Sequence, residues 1–132
     1  MIVVDTYILL WWFGGETQRL STKATEALEV ERNGGTIFVS SISAWEIAIL
    51  AANGRIGLST DVSTWLETVS LLDAIVFVPV DNEIAVKSTQ LGPNFQKDPA
   101  DRFIVATSQK LSAPLVTADQ KIRSYPYVRT IW

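Results

Sequence analysis

Four short runs of β-branched and aliphatic residues recur along the chain and constrain its fold more than any other feature. They lie at residues 2–4, 36–39, 75–78 and 115–117, and none of them alternates between apolar and charged residues. Continuous runs of this kind are typical of parallel strands that are covered by helices on both faces of a sheet. The sequence therefore predicts a parallel sheet whose strands are joined by crossover segments.

The segments between these runs carry helix signals. Ser21 is a predicted N-cap, and Asn33-Gly34-Gly35 is the predicted stop of the same helix. Apolar residues at 62, 65, 66 and 69 share one face of a second helix. We expect a third helix from Asp81 to Gly92-Pro93 and a fourth that opens at Asp98-Pro99. This alternation predicts an α/β fold, a three-layer α/β/α arrangement with a mainly parallel central sheet, in a single domain over residues 1–132.

Composition narrows the chemistry that such a fold can carry. The 132 residues include no Cys and no His, which excludes thiolate metal sites, cysteine nucleophiles and imidazole bases. A net charge of -3 argues against a protein that coats nucleic acid through bulk positive charge. The apolar run at residues 1–13 lacks a basic segment and contains Asp5, so we expect no secretion, no membrane insertion and a cytoplasmic location.

Acidic residues follow the predicted strands or begin the helices after them. They are Asp5, Glu46, Asp101 and Asp119. Three have ordinary alternative explanations: Asp5 could cap the next helix, Glu46 could form a capping box with Ser43, and Asp119 could form an Asx turn. Asp101 could likewise only complement its helix dipole, but because Asp98 is the predicted N-cap, Asp101 is the predicted ligand of that pair.

Taken together, these carboxylates indicate one acidic cleft, because the carboxyl ends of parallel strands meet at one edge of a sheet. Like charges packed closely repel each other unless a cation is present, and oxygen ligands suit Mg²⁺ or Mn²⁺. We expect the metal to be held mainly by Asp5, Asp101 and Asp119, with Glu46 binding metal or orienting water. Such a site favours phosphodiester hydrolysis.

The same residues make the chain similar to PIN domains, and specifically to the VapC-type toxin ribonucleases of bacterial toxin–antitoxin pairs. The resemblance is carried by four motifs in order, at residues 3–12, 39–48, 97–107 and 115–119. It implies a catalytic quartet of Asp5, Glu46, Asp101 and Asp119, supported by Thr6, Thr117 and Asp98. Many relatives carry His where this chain has Tyr7 and Gln96, a departure that concerns substrate positioning.

The resemblance further implies a metal-dependent endoribonuclease acting on RNA, a homodimer and a cognate antitoxin. Among the basic residues, Lys97, Arg102 and Lys121 are candidate RNA contacts. The five tryptophans exceed what one small core should need, and we expect faces bearing Trp45 and Trp65 to receive an antitoxin segment.

Two other functions fit parts of the pattern. An aspartyl-phosphate phosphatase could use Asp5 as its nucleophile, but that class requires a second Asp two residues later, where Tyr7 stands. A non-catalytic α/β binding module or receiver-like switch could keep the acidic residues only as helix caps. A metal titration distinguishes this second alternative from a nuclease, because helix caps should bind no Mn²⁺ whereas a cleft of four carboxylates should.

Overall fold

A computed structural model describes residues 1–95 and 98–132, in which one sheet of five parallel strands is surrounded by helices. The sheet order is β3-β2-β1-β4-β5. The strands are β1 (Ile2–Val4), β2 (Ile37–Ser40), β3 (Ile75–Val78), β4 (Leu115–Val116) and β5 (Thr130–Ile131). The predicted α/β fold with a parallel sheet is confirmed.

Helices connect and cover these strands. They are α1 (Thr6–Phe13), α2 (Thr22–Arg32), α3 (Ser41–Ala52), α4 (Val62–Ser70), α5 (Asn82–Ser88), α6 (Pro99–Leu111) and α7 (Gln120–Arg123), with a single 3₁₀ turn at Thr17–Arg19. Ser21 and Asp98 cap α2 and α6 as predicted. Among the described residues, no helix is long and apolar enough to span a membrane.

The hydrophobic core divides between the two faces of the sheet. Val4 packs into a cluster that includes Leu28 of α2 and Ile47 of α3, whereas Val3 packs into a cluster with Ile104 of α6 and Ile122 of α7. Neighbouring strand residues point to opposite faces, so a strand covered on both sides must be apolar at every position. This explains why the first run, residues 2–4, contains no polar residue.

The predicted elements differ from the structure at two points. The helix that begins at Asp81 ends at Ser88 rather than at Gly92, because the Ser88 and Thr89 hydroxyls donate to the carbonyls of Ala85 and Val86 at its last turn. The strand β5 was not predicted, since it has only two residues. Trp65 is 6% exposed and packs in the core, and it also lines a cavity beside α1.

Candidate active site

The acidic residues gather at the carboxyl ends of the central strands. Asp5 directly follows β1, Asp119 follows β4, and α3 leads from the end of β2 to Glu46. Asp98 and Asp101 begin α6, which packs beside these strands. The cleft between them has a volume of about 340 Å³ and is lined by Asp5, Thr6, Tyr7, Trp11, Glu46, Asp98, Asp101, Ala118 and Asp119. The structure therefore brings the predicted quartet into one cleft.

Asp5 is held rigidly at the base of this cleft. Its Oδ1 accepts a hydrogen bond of 3.0 Å from the Ile8 backbone N–H, and its Oδ2 accepts one from the Thr117 hydroxyl. Asp5 is only 8% exposed, and its burial raises its pKa to about 6, although both hydrogen bonds oppose that shift. The charges of Glu46 and Asp119 contribute smaller parts of the same rise. Asp5 thus caps α1, which was its alternative explanation from the sequence, and it also shares the cleft with other acidic side chains.

Thr117 connects Asp5 to Asp119. This threonine is fully buried, and its hydroxyl accepts a hydrogen bond of 3.1 Å from the Asp119 N–H while donating to Asp5. Asp119 in turn caps α7, where its Oδ1 accepts from the backbone N–H groups of Lys121 and Ile122 at 2.8 and 3.2 Å. The predicted supporting position of Thr117 thus corresponds to a direct link between two carboxylate positions.

Glu46 does not belong to a capping box. The N-cap of α3 is Ser40, whose hydroxyl accepts from the Ile42 N–H at 3.2 Å, because α3 begins directly at the end of β2. Ser43 is buried instead and shares a 2.9 Å hydrogen bond with the Thr6 hydroxyl. Burial raises the pKa of Glu46, the Thr6 hydroxyl partly offsets this, and the charge of Asp98 adds to it. The helix cap explanation for Glu46 is therefore wrong.

Asp101 lies where the carboxylate charges converge. Its pKa is raised to about 8, chiefly by burial and in smaller parts by the charges of Asp98, Asp119, Glu46 and Asp5. Asp98 performs the capping role predicted for it, accepting from the Ala100 N–H at 3.0 Å on an exposed turn. Both aspartates line the cleft, and Asp98 in addition caps α6.

The cleft offers carboxylate and hydroxyl oxygens, which are ligands suited to a hard divalent cation. Within residues 1–95 and 98–132, no three acidic side chains already stand together at metal-binding spacing. The raised pKa values of Asp5, Glu46 and Asp101 identify the burial and repulsion that a cation would relieve.

The candidate RNA-binding residues are placed differently from one another. The Arg102 guanidinium donates to the carbonyls of Ser88 and Phe95 at 3.3 and 3.2 Å and lies 5.6 Å from the Phe95 ring centroid. These contacts give Arg102 a structural role in holding the segment after α5. Lys121 is exposed on α7, whereas Lys97 and Gln96 lie outside the described residues.

Two aromatic residues of the cleft were not predicted to line it. Tyr7 is 43% exposed, and Trp11 stands one helical turn later with its ring centroid 6.0 Å from that of Tyr7. Both line the acidic cleft. The sequence signal that could have identified them is their i, i+4 spacing after Asp5, which places them on the same face of α1.

Thr117→Val is expected to lower the free energy of unfolding by about 1–3 kcal/mol, because it leaves the buried Asp5 carboxylate and the Asp119 N–H without their shared partner. Urea unfolding at neutral pH measures this loss. Thr107→Val is the matched control, since Thr107 is equally buried but donates only to the Phe103 carbonyl of its own helix. Equal losses in both variants would contradict a special role for Thr117.

Comparison with known proteins agrees with the resemblance that the sequence motifs carry. A family model described as the PIN domain matches residues 2–126. Ribonuclease VapC22 of Mycobacterium tuberculosis (strain ATCC 25618 / H37Rv) is 35% identical over 133 residues, covering 99% of this chain and 98% of its own length.

Solved structures agree in fold. A toxin-antitoxin complex from Klebsiella pneumoniae has a TM-score of 0.67 at 22% identity and covers 97% of this chain and 95% of its own. VapBC2 from Rickettsia felis, bound to a DNA fragment from their promoter, has a TM-score of 0.71 at 16% identity and covers 98% and 97%. At these identities the likeness shows the shared architecture.

Proposed function

The chain belongs to the PIN domain family, and we propose that it is a divalent-metal-dependent endoribonuclease, the toxin of a toxin–antitoxin pair. The observation that carries the proposal is the convergence of Asp5, Glu46, Asp101 and Asp119 on one cleft, where their charges act on one another. A cluster of acids that raise each other's pKa values destabilises a fold unless it binds something positive.

Asp5, Asp101 and Asp119 would hold Mg²⁺ or Mn²⁺. A divalent cation supplies charge neutralisation at a phosphate and acidifies an attacking water. Thr117 and the Ile8 N–H keep Asp5 oriented, so this carboxylate is positioned before substrate arrives. Glu46 lines the same cleft and accepts the proton of the attacking water at its carboxylate.

The bond changes follow from attack by water on an RNA phosphodiester. The water oxygen bonds to phosphorus and its proton passes to Glu46. The bond from phosphorus to the 3′ oxygen breaks, and this oxygen takes a proton from solvent, so the products are a 5′-phosphate and a 3′-hydroxyl. Attack by the 2′-hydroxyl is a poor alternative, since the chain has no histidine to act as its usual base.

Two alternatives explain the site less well. A binding module that keeps its acids as helix caps accounts for Asp5, Asp98 and Asp119, which do cap helices, but not for Glu46, because Ser40 caps α3. An aspartyl-phosphate phosphatase requires a second Asp at position 7, where the exposed Tyr7 stands.

Cleavage of single-stranded RNA is expected only when Mg²⁺ or Mn²⁺ is present, with no products in EDTA. The measurement is gel analysis of end-labelled RNA, with the product ends identified by their response to phosphatase and ligase. Cleavage in EDTA, or products with a 2′,3′-cyclic phosphate, would contradict the mechanism.

The proposed partners are a cognate antitoxin and a second copy of the chain. Trp45 is 50% exposed and Ile49, one turn later on α3, is 38% exposed, so this helix presents an apolar face suited to a dimer. An antitoxin arginine entering the acidic cleft could pair with two carboxylates and displace metal or RNA. Sedimentation of the purified chain alone tests the proposed dimer, and sedimentation after co-expression with the protein encoded beside it tests the proposed antitoxin complex.

The proposed location is the cytoplasm, where the protein would encounter its RNA substrate.

A further inference from the structure

A second cavity adjoins the acidic cleft. Its volume is about 710 Å³, and it lies between α1, the 3₁₀ turn and the segment that joins α3 to α4. Tyr7 and Trp11 line both this cavity and the acidic cleft. Whatever occupies the cleft can therefore continue into the cavity across these two rings.

The cavity combines aromatic rings with guanidinium groups. The Arg19 guanidinium lies 5.7 Å from the Trp11 ring centroid, a cation–π arrangement that holds the side chain at the cavity wall. Arg55 lines the same cavity, is exposed and, in the part of the chain that the structure describes, forms no ion pair. Among the described residues that line the cavity, Glu16 is the only one with a carboxylate, and it faces Arg19 at 3.7 Å in an exposed and therefore weak ion pair.

The sign of the charge distinguishes this cavity from the neighbouring cleft. The cleft is lined by five acidic residues, whereas the cavity has two guanidinium groups against one carboxylate. A polyanion that reaches the cleft needs positive contacts on its path, and arginine forms strong bidentate contacts with phosphate. Exposed aromatic rings bind nucleobases by stacking, which requires bases that are not already stacked in a duplex.

We propose that this aromatic–arginine pocket, formed by Tyr7, Trp11, Arg19 and Arg55, binds an unpaired nucleotide next to the scissile phosphate. The base lies against Tyr7 at the mouth of the pocket, and its phosphate contacts Arg55 and Arg19. The inference rests on the proposed function, since it takes the acidic cleft as the place of cleavage. It assigns substrate recognition to residues that are not needed for the proposed cleavage reaction at the acidic cleft.

The test measures equilibrium binding of a labelled single-stranded 2′-O-methyl RNA of about ten nucleotides in EDTA. Neither a metal-dependent nor a 2′-hydroxyl route can cut this probe under these conditions. Arg55→Ala is expected to raise Kd about tenfold and to reduce the slope of log K against log salt by about 0.7, the value for one lost phosphate contact on a single strand. Tyr7→Ala is expected to raise Kd about tenfold, and Tyr7→Phe, which keeps the ring, to restore most of the affinity.

Arg32→Ala is the matched control, because Arg32 is exposed on α2, pairs with Glu29 at 3.9 Å and lines neither cavity. It should leave Kd unchanged. A fully paired duplex of the same sequence should be insensitive to Tyr7→Ala, since its bases are stacked. Unchanged Kd values in Arg55→Ala and Tyr7→Ala, an unchanged salt slope, or an equal loss in Arg32→Ala would overturn the proposal.

A protein segment is the competing occupant, and the same variants identify it. If they leave RNA affinity unchanged but weaken capture of a co-expressed antitoxin, the pocket binds protein and the proposal is overturned. Failure of the proposed function gives a different pattern, in which pocket variants lose RNA affinity although the wild type cleaves no RNA with Mg²⁺ or Mn²⁺. Failure of the pocket alone leaves metal-dependent cleavage intact while every pocket variant binds RNA like the wild type.

Discussion

Asp101→Asn is expected to lower the rate of metal-dependent RNA cleavage by about a hundredfold or more, with the fold preserved. The reason is that Asp101 lies where the charges of Asp98, Asp119, Glu46 and Asp5 meet, so it is the carboxylate that a bound cation would contact to relieve the most repulsion. Asparagine keeps the size of the side chain but removes the charge. Single-turnover cleavage with saturating Mn²⁺ measures the effect on the chemical step.

Asp98→Asn is the matched control for this substitution. Asp98 accepts from the Ala100 N–H as the N-cap of α6, and asparagine caps helices about as well as aspartate. Its loss of activity should be much smaller than that of Asp101→Asn, and its melting temperature should be close to that of the wild type. If Asp98→Asn were inactive and Asp101→Asn active, the metal ligand would be Asp98 and the assignment to Asp101 would be wrong.

The position of Asp5 could be predicted from the sequence because it interrupts an apolar run at the end of a strand. A parallel sheet places such a residue at the edge where ligands bind, and the neighbouring Val3 and Val4 fix the strand. The same reasoning located Asp119 after β4. Both are close in sequence to a strand end, so local pattern and topology suffice for them.

Glu46 and Tyr7 show what sequence reasoning could not decide. A serine three residues before Glu46 fits a capping box, and only the absence of any loop between β2 and α3 shifts the cap to Ser40. Tyr7 stands between the buried Thr6 and Ile8, and its i, i+4 spacing with Trp11 places both rings on one helix face without showing that this face lines the cleft. These features depend on how helices pack around the cleft, which is a property of the whole chain.

In the metal-free protein, the free energy of unfolding is expected to fall as pH rises from about 5 to about 8. The unfolded chain ionises both aspartates near 3.8, whereas the folded chain keeps their protons until about 6 at Asp5 and about 8 at Asp101. Over that range the folded state binds more protons than the unfolded state, so raising pH favours unfolding. The slope for each group stays below about 1.4 kcal/mol per pH unit, and solvent screening at the half-buried Asp101 reduces it further.

The side chains with shifted pKa values that lie away from the cleft titrate outside this pH range. The chain has no histidine, and the acids with lowered pKa values, Glu31, Asp61 and Asp81, contribute their stabilisation fully above their ordinary values of 3.8 to 4.5. Urea unfolding in EDTA at several pH values from about 5.5 to 8.5 measures the slope.

Adding Mn²⁺ should reverse the loss, because a cation that binds the folded state alone stabilises it by about 2.7 kcal/mol at a hundredfold excess over its dissociation constant. Asp101→Asn should flatten the metal-free pH dependence, unfold at a higher urea concentration than the wild type at pH 8, and gain less from Mn²⁺. Asp73→Asn, an exposed change just before β3 at the opposite end of the strands, should match the wild type in all three respects. If Asp101→Asn left the pH slope unchanged, repulsion in the cleft would not be the cause of the stability loss in the metal-free protein. The acids would then be explained as helix caps and surface charges.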